Sequence, residues 1–445
     1  MLVSGGPLQA KDWPEWRGSG RLGVWEDTGI VDRLPEALAV TWRVPIRSGF
    51  AGPAVADGRV FVTDWQEDPT SRTLEGTERL LAIDETTGEV LWTHEWSTSY
   101  RMLMTSYAIG PRATPTVDDD RVYVVGATGR LLCLDVATGA VRWETDYAAD
   151  YDTSIPVWGV SSAPIVDGER VIAIVGGQPD AMVVAFDKRT GDEVWRALEA
   201  TGEMGYSQPV IYEAGGAQQL IIWHATALAS LDPETGAVYW EEPIEVGAGM
   251  AIATPVQSGP YLLVSQLYYG STMMRLSDDR PAATKLWQGR SRSPDEPDGL
   301  HSTIGTPVVV GDYVYGLCVD GELRALDART GERRWMSLAM NQEAREQWGA
   351  VRWGTAYMVR HADRHFVSTD DGYLVLAQFT PEGYEELGRT RLIEPTFNNG
   401  FGPRNDWNRP VVWAHPAFAN RHVVQRNDRE IVRASLAAED YPSAR

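Results

Sequence analysis

Short apolar runs separated by polar turns fill most of this chain, and one arrangement of them recurs. Asp-x-x-Thr-Gly-x-x-x-Trp occurs five times without insertion, at 84–92, 135–143, 187–195, 232–240 and 327–335. Each copy follows an apolar run such as Leu80-Leu81-Ala82-Ile83 or Leu131-Leu132-Cys133-Leu134. The pattern predicts a β-hairpin. An Asp in the turn accepts hydrogen bonds from its own backbone, and Gly supplies the positive φ of a tight reversal. The residues after Gly alternate (Glu89, Val90, Leu91, Trp92), as a second strand does. A Trp at one fixed place in every unit predicts a repeated contact with the neighbouring unit.

A second hairpin precedes each of these. Its copies begin at Pro53-Ala-Val55, Pro115-Thr-Val117, Pro164-Ile-Val166, Pro209-Val-Ile211, Pro255-Val256, Pro307-Val-Val309 and Pro416-Ala-Phe418. One unit is therefore four strands in about 45 to 52 residues, the size of a propeller blade. The outer-strand aromatics fall at Trp42, Trp92, Trp143, Trp195, Trp240, Trp287 and Trp335, with Leu387 in the remaining position. The fifth hairpin is degenerate, with Ala282 and Ala283 in place of Thr and Gly, and the seventh keeps only Gly383. The last unit stops after three strands near Leu436, whereas Thr41-Trp42-Arg43-Val44 is an outer strand with nothing before it. The expected fold is all-β: an eight-bladed β-propeller of four-stranded antiparallel blades, closed by an N-terminal strand (41–44) that completes the last blade. Residues 1–40 are expected to form an arm packed on the propeller, 41–436 the ring, and 437–445 a tail.

Composition narrows the function classes. With 62 acidic against 40 basic residues the net charge is −22, which argues against nucleic acid. No stretch approaches the ~20 apolar residues of a membrane span. The two cysteines, Cys133 and Cys318, sit in strands of different blades and are expected as buried free thiols. Met1 to Ala10 lacks the form of a signal peptide, although Leu8-Gln9-Ala10 has the form of a cleavage-site tail whose upstream part is missing. A monomer is expected.

The hairpin repeats resemble those of the quinoprotein alcohol dehydrogenase-like superfamily. Asp12-Trp13-Pro14-Glu15-Trp16-Arg17-Gly18 and Gly52-Pro53-Ala54-Val55-Ala56-Asp57-Gly58-Arg59-Val60 resemble its PQQ-like β-propeller repeat proteins, with repeats like those of the outer-membrane assembly lipoprotein. The resemblance spans about residues 12 to 436 and implies export to the periplasm or beyond. It names a scaffold and not an activity, since the superfamily holds both PQQ-dependent dehydrogenases and non-catalytic members. The dehydrogenases resemble one another in an adjacent Cys-Cys pair, a calcium and a catalytic Asp, and the adjacent pair is absent here. Oxygen ligands for calcium are available from Asp146, Asp150 and Asp152, or from Asn398, Asn399, Asp406 and Asn408, although solvated acidic loops explain both groups. His361 and His365 have the spacing of a helix-borne zinc pair, but the repeat puts them across a hairpin turn. No metal site is expected.

Function is sought where the repeat leaves residues over. The loops from each outer strand to the next inner strand open on one face of the ring, around its channel. Eleven of the eighteen Trp lie outside the repeat register. The candidate ligand-binding residues of that face are Arg101, Tyr107, Arg112, Trp158, Tyr206, Gln208, His301, Arg352, Trp353, Asp406, Trp407 and His415. Aromatic platforms with Arg and amide donors suit a polyhydroxylated or anionic organic ligand; the competing reading is that these side chains plug the channel. Three functions remain open. The first is a non-catalytic exported propeller binding a partner protein or glycan. The second is an oxidoreductase using PQQ and calcium on alcohols or sugars. The third is a carbohydrate-active lyase or hydrolase with Tyr107, Tyr206, His301 or His415 as acid or base.

Overall fold

The structure, a computed structural model, describes residues 10–105, 109–200, 202–349, 351–396 and 409–442. Eight four-stranded antiparallel sheets stand in a ring as an eight-bladed β-propeller. Blades 1 to 7 are residues 54–99, 116–146, 165–197, 210–243, 256–288, 308–337 and 356–391. Blade 8 combines the strands of 417–435 with the strand Val40–Pro45, which pairs antiparallel with Glu430–Ser435, Val40 opposite Ala434 and Pro45 opposite Glu430. The middle strands are buried almost throughout, while outer strands such as Val90–Ser99 alternate between exposed and covered positions. The apolar core lies between blades, as face-to-face sheet packing requires. No helix among the described residues is long and apolar enough to cross a membrane.

The five intact hairpins are alike at atomic detail. Asp84, Asp135, Asp187, Asp232 and Asp327 each accept hydrogen bonds from the backbone amides two and three residues on. The motif glycines have φ between 71° and 79°. Each also serves as the floor for the Trp of the preceding blade: a Cβ at Gly139 would come within 2.5 Å of the Trp92 ring, and at Gly88 within 2.8 Å of Trp42. Four of these five indoles then donate to the next blade's carbonyls, Trp42 to Glu85, Trp92 to Val136, Trp143 to Lys188 and Trp287 to Ala328, whereas Trp195, on Gly236, has its N–H buried without a partner. Motif Gly and motif Trp thus form one seam between successive units. The two blades without the motif Gly differ: Trp335 still donates to the Thr380 carbonyl of blade 7, whereas towards blade 5 the seam lapses and Trp240 donates instead to Gln219 of its own blade.

The N-terminal arm runs through the middle of the ring. Trp13 bridges Val55 on the inner strand of blade 1, and the Pro14 carbonyl accepts from Val117 in blade 2. Arg21, fully buried, donates to the carbonyls of Ala163, Pro164 and Pro209 ahead of blades 3 and 4, and pairs with Glu15. Val24 bridges Arg360 of blade 7, and Val31 donates to Leu436 behind blade 8. Contacts with blades on opposite sides put the arm across the axis. Carbonyl acceptors around a guanidinium spread its charge over dipoles, which makes a buried Arg tolerable.

Candidate functional site

Every connection from an outer strand to the next inner strand contributes to one cavity of about 300 Å³ at the channel mouth. Phe50, Arg112, Ser161, Tyr206, Ile252, Ile304 and Trp413 line it, and each stands three residues before the recurring proline of its unit. The regularity has a simple cause. The inner strands run alike along the channel, so equal steps back from their starts reach equal heights on the rim. Unit 7 has Thr355 in place of the proline, and there Trp353 supplies the lining residue. Trp158, Gln208, Met250, Leu267, Tyr268, Thr303 and Tyr357 complete the wall. Trp16 of the arm forms the floor, fixed by its indole N–H to Thr254 Oγ1 at 2.9 Å.

Eight aromatic rings and one charged residue, Arg112, are among the described lining residues. The Arg112 guanidinium lies over the Phe50 ring, 5.8 Å from its centroid. Burial pulls its pKa down to about 10, against the raising effect of the Tyr100 and Tyr206 hydroxyls. Trp158 meets Tyr206 edge-on at 5.7 Å. Burial raises the pKa of Tyr206, whose hydroxyl faces the Trp158 main chain without reaching hydrogen-bond geometry. Gln208 is committed to the wall: it accepts from the Ala163 amide at 2.7 Å and donates to the Ser161 carbonyl at 2.8 Å.

Five of the twelve sequence candidates therefore converge: Arg112, Trp158, Tyr206, Gln208 and Trp353. Four lie elsewhere. Arg101 is exposed on the loop after blade 1. Arg352 points to solvent, pairing with Asp295 at 2.7 Å and resting over Trp353. His301 is buried, its Nδ1 2.9 Å from the Leu267 carbonyl and its Nε2 3.2 Å from Asp298. His415 lies beneath the floor, packed against Trp16 and Tyr357, and burial pushes its pKa down to about 3. Tyr107, Asp406 and Trp407 lie outside the described residues, as do Asn398, Asn399 and Asn408. The sequence reading passed over Phe50, Ile252, Ile304 and Trp16. For the first three the usable signal was their fixed distance from the recurring proline.

The other candidate centres have structural occupations. Asp146 caps the short helix Tyr147–Tyr151, accepting from the Ala148 and Ala149 amides, and Asp150 accepts from Thr145 and the Asp146 amide. The segment after Trp143 is thus a capped helical turn rather than an open loop. His361 and His365 flank a hairpin turn, and burial lowers both pKa values, that of His365 to about 4. Among the described residues no group of three or more His, Cys, Asp or Glu could hold a metal ion. Cys133 and Cys318 are free and buried in separate blades, and burial pushes their thiols up to about 12. PQQ is a polycarboxylate, and one described cation in the cup does not match its charge. The described residues do not fit PQQ held with calcium.

The sequence profile of the family described as "Outer membrane protein assembly factor BamB" matches residues 35–109, 76–278 and 279–390. The chain belongs to this family. Its similarity to the BamB of Yersinia pestis is 26% identity over 322 residues, 69% of this chain and 75% of that protein. A quinoprotein ethanol dehydrogenase of Pseudomonas aeruginosa is 28% identical over 150 residues, 31% of this chain and 24% of the enzyme. Among solved structures, the quinohemoprotein alcohol dehydrogenase of Comamonas testosteroni superposes with a TM-score of 0.58 at 15% identity, covering 96% of this chain and 81% of that one. At that identity the likeness is one of fold. The chain is thus a PQQ-like propeller of the BamB family, within a superfamily that also carries dehydrogenases.

Proposed function

We propose that this propeller is an exported, periplasmic, non-catalytic scaffold that binds a partner protein in outer-membrane protein assembly, using the loop face of its first blades. The observation that carries this reading is an apolar rim beside the cup. Met102 is 82% exposed, and Met104 and Val157 stand exposed next to it. The Met104 amide donates to the Val157 carbonyl at 2.7 Å, which joins the loops of two blades into one surface. Flexible thioethers held out in water on a rigid support suit an adaptable protein contact. Membership of the assembly-factor family supports the partner class, and the buried, weakly basic His415 gives an acid–base enzyme little to work with.

The test is made in the source bacterium. A Met102→Asp/Met104→Asp variant, expressed at the normal level, should lower outer-membrane β-barrel protein to the amount found without the propeller. A photoreactive residue at position 102 should crosslink to a component of the barrel-assembly machinery. Normal barrel levels in the double variant, with no crosslink, would reject the reading.

A further inference from the structure

At each hairpin that keeps the motif, the glycine closes over the Trp of the preceding blade, and a Cβ there would come within 2.5 to 2.8 Å of the ring. Blade 7 lacks that glycine. A Cβ at Gly383 would meet nothing within 4 Å, and its φ is not positive. Trp335 is therefore left partly uncovered, beside Tyr384 with ring centroids 6.4 Å apart. Its N–H is held by the Thr380 carbonyl, so the indole does not swing across the gap. What remains is an open groove of about 680 Å³ between the outer strands Arg333–Ser337 and Gly383–Arg391.

The wall of this groove defines an occupant. Trp335, Met336 and Ser337 line it in succession, as do Glu382, Gly383 and Tyr384. A sheet face presents every second residue, so consecutive lining means that the groove follows strand edges. Both strands are outermost in their sheets, and an edge strand leaves main-chain donors and acceptors unpaired along one side. Met336, 49% exposed, adds an apolar contact. Charge is one-sided: Glu343, Glu382 and Glu386 stand against Arg389, which already pairs with Glu343 and Glu386.

We propose that this groove docks an extended segment of a partner protein in which basic and apolar residues alternate. The segment adds a strand to the edge of Arg333–Ser337. Its apolar side chains pack on Trp335 and Met336, and its Lys or Arg side chains meet Glu382 and Glu386. The site lies on the outer wall of blades 6 and 7, whereas the contact proposed above uses the loops after blades 1 and 2.

The purified full chain is titrated against fluorescein-labelled Lys-Phe-Arg-Leu-Lys-Val-Arg-Leu, with Glu-Phe-Glu-Leu-Glu-Val-Glu-Leu as the acidic counterpart, and followed by fluorescence anisotropy. Saturable one-site binding of the basic peptide is expected, with the acidic one at least about tenfold weaker. Gly383→Phe, which fills the groove at a position open to a side chain, should abolish binding and keep the melting temperature. Glu382→Lys should weaken binding about fivefold or more. Glu89→Lys, an equal charge change on the exposed hairpin of blade 1, should leave it unchanged. No saturable binding, full affinity in Gly383→Phe, or equal losses from the two Lys variants would overturn the proposal. So would a dimer of the chain that Gly383→Phe dissolves, since a second copy would then fill the groove. None of these readouts uses the barrel-assembly partner, so this inference and the scaffold reading fail separately.

Discussion

The seams between blades and the cup at the channel mouth are both built from tryptophan, yet they use it in opposite ways. In a seam the indole lies on a glycine of the next blade and its N–H is spent on that blade's carbonyl, as Trp92 does on Gly139 and Val136. Nothing of the ring is left to offer a ligand. In the cup, Trp158 and Trp353 are half-buried and turn part of a face to an open cavity. The repeat therefore fixes the seam residues for stability, while the rim is free to differ from blade to blade. Phe, Arg, Ser, Tyr, Ile and Trp all occur at the same rim register. Uniform residues mark the scaffold here, and varied residues line the cup.

This contrast can be broken most forcefully at a seam glycine. Gly139→Val puts a branched side chain at φ 71° and a Cβ within 2.5 Å of Trp92. Backbone strain and overpacking together should cost about 3 kcal/mol or more, measured by denaturant unfolding. The next effect separates an intact seam from a lapsed one. Trp143→Leu, which removes an indole lying on Gly191 and bonded to Lys188, should cost about 3 kcal/mol. Trp240→Leu should cost about half as much, because Trp240 is half-exposed and bonds within its own blade. Equal losses would remove the distinction.

A smaller effect appears only in acid. His365 stacks on Phe379 at 4.6 Å, and both ring nitrogens are buried without partners. Burial holds it neutral down to about pH 4, while the unfolded chain takes up a proton near its ordinary value of 6.5. The folded pKa is therefore depressed. For a base this means that stability is complete above pH 6.5 and is lost as the pH falls from 6.5 towards 4. His365→Phe should match or exceed wild-type stability at pH 7 and gain about 2 kcal/mol over it by pH 5. A constant difference across that range would show that His365 protonates in the folded protein.

The fold was legible because its signals are local. Asp, Gly and Trp sit within nine residues of one another, and each acts through a turn or a strand that its neighbours also specify. The eight blades follow from counting these units. The cup was half legible. Arg112, Trp158, Tyr206, Gln208 and Trp353 stood out because polar and aromatic residues in loops call for an explanation. Phe50, Ile252 and Ile304 did not, because an apolar residue near a strand start reads as core unless its register is compared across blades. Trp16 was beyond local reading altogether, as its partner Thr254 lies 238 positions away. His301 failed in the opposite direction. A histidine in a long connection suggests exposure, but the Leu267 carbonyl and Asp298 hold its ring inside. Loop sequence sets where a residue is and leaves the side chain's direction to tertiary contacts.

The central claim is that the seam tryptophans hold the ring and that the cup tryptophans contribute little to its stability. It is tested most directly by measuring the unfolding free energy of two variants, Trp143→Leu and Trp158→Leu. The account predicts that Trp143→Leu loses about 3 kcal/mol of stability. Trp158→Leu should stay within about 1 kcal/mol of wild type. Equal destabilisation by both changes would contradict it.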